Sequence, residues 1–273
     1  LIEHSPENLV TAAVIVSTAR TPIGRAFRGA FNHTKSPTLA GHAIKHAVRR
    51  AHIEGAEVDD VVLGTAMPAG TAGMNIGRLA ALAAGLGDSV PGQTVDRQCA
   101  SGLMAIAIAA KQILVDGMRI VVGGGQENIS ALNTPYGEWV NREEDDALIQ
   151  VAKYAYVPML HTAEFVSKKH QISREQQDVY ALASQQRTAA AQAAGRLDAE
   201  IVSLTTRMAV TDKDTKAVSF ELVTLAKDEG NRPQTTLAGL HALKPVLDGG
   251  VITAGNASQL SDGCNNRTRR KRH

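Results

Sequence analysis

The 273 residues suffice for one large or two ordinary domains. Hydrophobic residues make up 44%, charged residues 21% and aromatics 3%, which excludes a disordered chain and argues against a base-stacking nucleic-acid platform. The net charge of +2 is misleading, because Arg267, Arg269, Arg270, Lys271 and Arg272 crowd into the last seven residues; without them 24 positive charges face 27 negative ones. The globular part is mildly acidic, and the tail reads as a solvated extension rather than a nucleic-acid arm.

Two cysteines, Cys99 and Cys264, build no disulfide framework and point to a reducing compartment. No run is long and apolar enough to span a membrane, and the first residues lack a secretory pattern. A cytoplasmic location, with no membrane and no nucleic acid among the partners, is the expectation. A start at Leu1 suggests that earlier residues are missing.

In chain order, the apolar run 13–16 predicts a buried strand that delivers the Thr21-Pro22-Ile23-Gly24 loop. Ala40, Ile44, Ala47, Val48 and Ala51 recur at helical spacing. Further strands are predicted at 61–63, 93–95 and 120–122, with helices at 75–84 (closed by Gly85) and 102–115. Alternating strands and helices predict a parallel sheet with right-handed crossovers. After about Asn128 the pattern changes. A polar stretch at 133–146 precedes a helix whose Ser173 and Gln176 form a capping box and whose Gly195 closes it. Residues 199–224 read as irregular β structure within a substrate-covering region.

The sharpest chemical feature is Asp96-Arg97-Gln98-Cys99-Ala100-Ser101-Gly102, which puts a cysteine between a strand and a helix. Amides at a helix N-terminus favour a thiolate, and small neighbours let a carbonyl approach the backbone. A buried core cysteine is the competing reading. Gly123-Gly124-Gly125 lacks the G-x-G-x-x-G spacing and reads as a tight turn, not a dinucleotide fingerprint. His42 and His46 have no third ligand nearby in sequence, so no metal site is expected.

Six segments, in order, resemble the thiolase family of acetyl-CoA acyltransferases. They begin with Ser17-Thr18-Ala19-Arg20-Thr21-Pro22-Ile23-Gly24, then Arg97-Gln98-Cys99-Ala100-Ser101-Gly102-Leu103 and Gly123-Gly124-Gly125-Gln126-Glu127-Asn128. Next come Thr162-Ala163-Glu164 with the stretch from Ile172 to Asp178, then Leu243-Lys244-Pro245, and Thr253-Ala254-Gly255-Asn256-Ala257-Ser258 continued by Ser261-Asp262-Gly263. The resemblance implies an α/β fold: a layered N-terminal half with a mostly parallel mixed sheet, plus an inserted loop domain, the C-terminal half being absent. Its implied boundaries are 1–129 for the half, 130–258 for the coenzyme A-covering loop domain, 259–263 for the return and 264–273 for a basic non-family tail.

The resemblance also implies roles. Cys99 would take the acyl group as a thioester, its own N–H supplying part of an oxyanion hole. Ala254, Ala257 and Ser258 would line the pantetheine channel, with Arg232 toward the adenosine phosphate and Leu243 against the adenine. The substrates would be acyl-CoA and acetyl-CoA, with no permanently bound cofactor or metal, and the assembly a homodimer. Two departures stand out. The segment Pro158-Met159-Leu160-His161-Thr162 differs from the family's acyl-pocket loop, and after Gly263 the family's Ala-rich strand gives way to Cys264-Asn265-Asn266-Arg267-Thr268 and basic residues. No histidine stands in a Gly-His-Pro context, and Cys264 lacks a Gly-rich continuation, so neither the family's base nor its second cysteine is matched. The switch reads as a frameshifted or truncated frame whose sheet lacks its final strand, with impaired activity. A non-catalytic fragment that binds acyl-CoA weakly or pairs with full-length subunits is one rival reading, and a ketoacyl-synthase-like condensing enzyme another.

Overall fold

The computed structural model describes residues 12–132 and 143–272, which fall into two compact units. The first contains residues 12–132, 200–229 and 261–272; the second contains 143–199 and 230–260.

In the first unit, strand β1 (Ala12–Arg20) and the short β2 (Gly24–Arg25) lead into helix α1 (Ser36–Arg50). Then follow β3 (Asp60–Gly64), α2 (Ile76–Ala84), β4 (Gly92–Val95), α3 (Ser101–Leu114) and β5 (Ile120–Asn128). A hairpin of β6 (Leu204–Thr211) and β7 (Val218–Leu225) and a last strand β8 (Ser261–Arg272) complete it. The main sheet runs β1-β8-β5-β3-β4, with β2 beside the start of β8. β3 pairs parallel with β4 and β5, whereas β8 is antiparallel to β5, β1 and β2, so every strand but β8 points one way.

The uninterrupted apolar runs follow from cover on both faces. Val61, Leu63, Ile120 and Val122 enter a core with Ala40, Ile44 and Val48 of α1 and Ile76 and Ala80 of α2. Val62 and Val121 point the other way, toward Ala105, Ala109 and Ile113 of α3. The helices α1 and α2 pack closely because Gly41 has no Cβ; one built there would lie 2.7 Å from Ala83 Cβ. α2 begins where the sequence places it, with the Asn75 side chain accepting from Arg78 N, and ends on Gly85 at φ 77°.

Two expectations need correction. The tail is not a solvated extension: residues 261–272 fill the sheet between β1 and β5, so the final strand is present. Summed charge hid a period of two. Asp262, Cys264, Asn266 and Thr268 turn one way and are buried, while the arginines at 267 and 269 turn the other way. The second correction concerns residues 199–224. They form a regular hairpin, and the stretch 200–229 packs with the first unit rather than with the covering region. Its anchor is Arg20, 7% exposed, whose guanidinium meets Glu200 at 2.7 Å and Asp228 at 2.7 and 3.0 Å. Burial works against that charge, but the two carboxylates outweigh it and hold the Arg20 pKa above its ordinary value.

β8 fits its slot imperfectly. Asn266 Oδ1, Thr268 Oγ1 and Arg269 Nε are buried without partners, as is Ser17 Oγ on β1, directly opposite Thr268. A buried unpaired hydroxyl costs about 1–3 kcal/mol. Thr268→Val keeps the side-chain shape and removes one such group, so it is expected to raise the urea midpoint, with a gain of about 1–3 kcal/mol. An unchanged or lower midpoint would show that Thr268 Oγ1 is satisfied in solution.

Candidate active site

Cys99 follows the end of β4, on a turn shaped by its neighbours' side chains. Asp96 Oδ1 accepts from Gln98 N at 2.8 Å, and Gln98 takes the left-handed conformation at φ 50°, which non-glycine residues adopt at a cost. Ser101, 3% exposed, locks the turn: its Oγ donates to Gln98 O at 2.6 Å and accepts from Arg97 N at 2.8 Å. The outcome is an exposed Cys99 two residues ahead of α3, which disposes of the buried-core reading. The N-cap position is Ala100, so no side chain caps the first-turn amides beside the sulfur.

Glycines set how closely α3 approaches the sheet. A Cβ on Gly64 would fall 2.3 Å from the Ser101 carbonyl carbon, and one on Gly125 would fall 3.0 Å from Gly102 Cα. The Gly-Gly-Gly run is therefore neither a phosphate loop nor a turn; it is strand β5 passing beneath the start of α3. Behind it, the Glu127 carboxylate accepts from Ala66 N at 2.8 Å and from the Thr65 hydroxyl at 3.2 Å. Thr65 N donates to Val95 O at 3.1 Å and so fixes where β4 ends. Thr65, Ser101 and Glu127 are positioning groups that no local pattern in the sequence marks as such, although Ser101 and Glu127 lie inside the family-like segments 97–103 and 123–128. Gly64→Ala is expected to displace the first turn of α3 and to destabilise the first unit by about 1–3 kcal/mol, read from thermal unfolding. A variant with unaltered stability would mean that α3 sits higher than described.

The other cysteine has a different fate. Cys264 is buried on β8, where burial pushes its thiol up to about 12 despite a hydrogen bond from Asn266 Nδ2 at 2.9 Å. It packs among α1 and α2 residues as a core side chain.

The second unit holds α4 (Asp146–Val151), α5 (Met159–His170), α6 (Arg174–Ala193) and α7 (Leu237–His241). The capping box of Ser173 and Gln176 opens α6, and Gly195 follows it at φ 65°. A cavity of about 280 Å³ is lined by Gln185 of α6 together with Arg232, Leu243, Ala254, Ala257 and Gln259. Four of the five residues assigned to coenzyme A thus share one cavity; Ser258 is exposed and does not line it. Gln185 Oε1 accepts from Arg232 N at 2.8 Å and Asn231 Nδ2 at 3.0 Å, which seats the arginine segment. Fully buried Asp178 accepts from Arg174 Nε at 2.7 Å and Asn256 Nδ2 at 3.0 Å. Asn256 Oδ1 in turn accepts from Thr253 N at 2.8 Å, closing the loop that presents Ala254 and Ala257. His161 lies on α5 and His241 on α7. Among the described residues no group of three or more His, Cys, Asp or Glu is placed to hold a metal ion, and no helix is long and apolar enough to cross a membrane.

Iodoacetamide at pH 7–8 is expected to give a single adduct on the native protein, in the peptide carrying Cys99, and two adducts after denaturation. Cys264 is inaccessible and its thiol stays protonated far above that range. Equal labelling of both cysteines in the native protein would contradict the burial of β8.

Residues 13–266 match the family described as thiolase, N-terminal domain. Among curated proteins, the chain is 39% identical to a 3-ketoacyl-CoA thiolase of Bacillus subtilis (strain 168), over 92% of this chain and 63% of that protein. It is 38% identical to the peroxisomal 3-ketoacyl-CoA thiolase A of Mus musculus, over 94% of this chain and 59% of the relative. An acetyl-CoA acetyltransferase of Cupriavidus necator is 38% identical, over 93% and 64%. The chain spans less than two thirds of the length of these relatives.

Proposed function

The chain belongs to the thiolase family, and from that premise we propose that it forms an acyl-thioester on Cys99 from an acyl-CoA. The observation that carries this is the exposed sulfur on a strained, side-chain-locked turn beside the uncapped first turn of α3. The Cys99 thiolate attacks the thioester carbonyl, the Cys99 N–H, as the resemblance implies, donates to the oxyanion, and the coenzyme A thiolate leaves. The cavity with Arg232, Leu243, Ala254 and Ala257 supports coenzyme A as the carrier, since it sets a cation beside apolar and small side chains. Ser258, exposed at the end of the same loop, keeps a proposed role toward the pantetheine only.

The relatives' names point to acyl transfer between acyl-CoA and acetyl-CoA, by thiolysis of a 3-ketoacyl-CoA or by the reverse condensation. Both directions need a base at the α-carbon as well as the nucleophile. None of the nine histidines stands in the Gly-His-Pro context that the resemblance assigns to a base, and Cys264 is a core residue. The reading for this chain is acylation of Cys99, the half-reaction that its described residues support. The cavity lined by Arg232 and Leu243 also fits the second reading, a thiolase-like subunit that binds acyl-CoA without turning it over. A homodimer in the cytoplasm completes the proposal, the mouse relative being named as peroxisomal.

Incubation with acetyl-CoA followed by mass spectrometry is expected to show a 1:1 acetyl adduct on the Cys99 peptide, absent from Cys99→Ala, without acetoacetyl-CoA in a coupled assay. Robust turnover abolished by Cys99→Ala would mean that another group, such as His161 or His241, supplies the base. No adduct at any acetyl-CoA concentration would leave the binding-only reading.

A further inference from the structure

Helix α1 lies on the opposite face of the sheet from α3. His42 and His46 are four residues apart on it, so their imidazoles share one side of the helix, one turn above the other. The ring centroids stand 4.6 Å apart and the planes tilt by 54°, so the rings meet without stacking. That separation is within the reach of one ion held about 2 Å from a nitrogen of each ring. Both side chains are half-buried.

The His42 ring is already oriented. Its Nε2 lies 3.0 Å from Ser203 O, a carbonyl that can only accept, so Nε2 carries the proton and Nδ1 keeps its lone pair in the neutral ring. Metal-binding histidines are arranged in this way: the second ring nitrogen donates to a carbonyl or carboxylate, which fixes tautomer and orientation. Among the described residues nothing hydrogen-bonds to the His46 ring, which is free to turn a nitrogen toward its neighbour. Burial, before all else, holds both histidines below their ordinary pKa. The charges of His42, Arg50, Arg49 and Lys45 add to this at His46, and that of Lys45 at His42, so both rings are in the neutral, ligating form at pH 7. Sequence spacing alone leaves the pair without support; the Ser203 carbonyl, 161 residues away, is what the fold adds.

We propose that His42 and His46 form a two-histidine site for a divalent transition-metal ion of the Ni²⁺, Cu²⁺ and Zn²⁺ class, its remaining positions filled by water. Imidazole nitrogen selects these ions over Mg²⁺ and Ca²⁺, which take oxygen. With two protein ligands the ion is exchangeable, unlike the closed four-ligand sites that hold a fold together. The charged side chains beside the pair, Lys45, Arg49 and Arg50, are cations that oppose the ion, but all three are exposed and salt screens them. Because His42 also holds Ser203 O, an ion there ties α1 more firmly to the stretch 200–229 and favours the folded first unit.

The test titrates Ni²⁺ into the full chain carrying Cys99→Ala, which removes the exposed thiol as a competing ligand. Calorimetry is expected to show one site, no response to Mg²⁺, and tighter Ni²⁺ binding as salt is added. His46→Gln removes a ring that makes no hydrogen bond and is expected to weaken Ni²⁺ at least about tenfold. In the same chain without the His46 change, Ni²⁺ is expected to raise the thermal unfolding midpoint, and that rise is lost in His46→Gln. This second readout needs no variant of α1 to fold. Equal Ni²⁺ affinity in His46→Gln, no binding to the parent, or a parent midpoint that Ni²⁺ leaves unchanged would each overturn the proposal.

Discussion

Backbone-to-backbone contact between the strand ends and the first turn of α3 governs the candidate site. It exists because positions 64, 102 and 125 are all glycine. With the helix seated that low, Ser101 falls within reach of Arg97 N and Gln98 O, and the turn between them is held in the left-handed conformation. That conformation turns Cys99 outward. A methyl group at any of the strand positions would lift the helix, free the serine and let the turn relax. The cysteine would then be an ordinary exposed thiol on a mobile loop rather than one held beside uncapped amides.

The same economy is visible in the second unit, where one buried carboxylate organises a surface it never reaches. Asp178 is fully buried on α6 and joins Arg174 on its own helix to Asn256 on the loop of Ala254 and Ala257. Asn256 then satisfies Thr253 N and Val251 O. A polar network with its partners in place gives small, featureless residues a defined path, as a slot for a thin flexible chain requires. Arg232 is placed by the same means from the other side, through Gln185.

Periodicity made most of the first unit legible. The runs at 61–63 and 120–122 are buried strands because α1 and α2 cover one face and α3 the other. Asn75, Gly85, Ser173 and Gly195 announced their helix ends through cap chemistry. The candidate nucleophile was legible mainly through the resemblance of residues 97–103, since position between strand and helix alone left a buried core cysteine as the competing reading. The hairpin at 204–225 was harder to read: its strands are mostly exposed, and it is held by Leu204, Val223 and Leu225 packing with Phe31 and Leu39, by Asn32 bonded to Ala209, and at its flanks by Arg20 with Glu200 and Asp228, all remote in sequence. No local pattern carries a contact of that kind. The roles of Thr65 and Glu127 were hidden for the same reason, since each is defined by what it touches across the sheet.

β8 is where composition and structure disagree most. Its backbone is satisfied on both sides by β1 and β5, and that ladder can hold a strand of almost any sequence. Its side chains were left to fit. The inward positions deliver Asn266 and Thr268 to a largely apolar face, where the Asn266 and Thr268 oxygens, like Ser17 Oγ opposite Thr268, go unpaired. The outward positions deliver Arg267 and Arg269 to the face of α3, where no described carboxylate waits for them. The orphaned oxygens and the unpaired cations are thus one fact seen from the two faces of a pleated strand. The two faces differ in burial. The inward one is sealed in the core and can be relieved only by changing the sequence, whereas the outward one is half-buried, with Arg269 Nε desolvated and short of a partner.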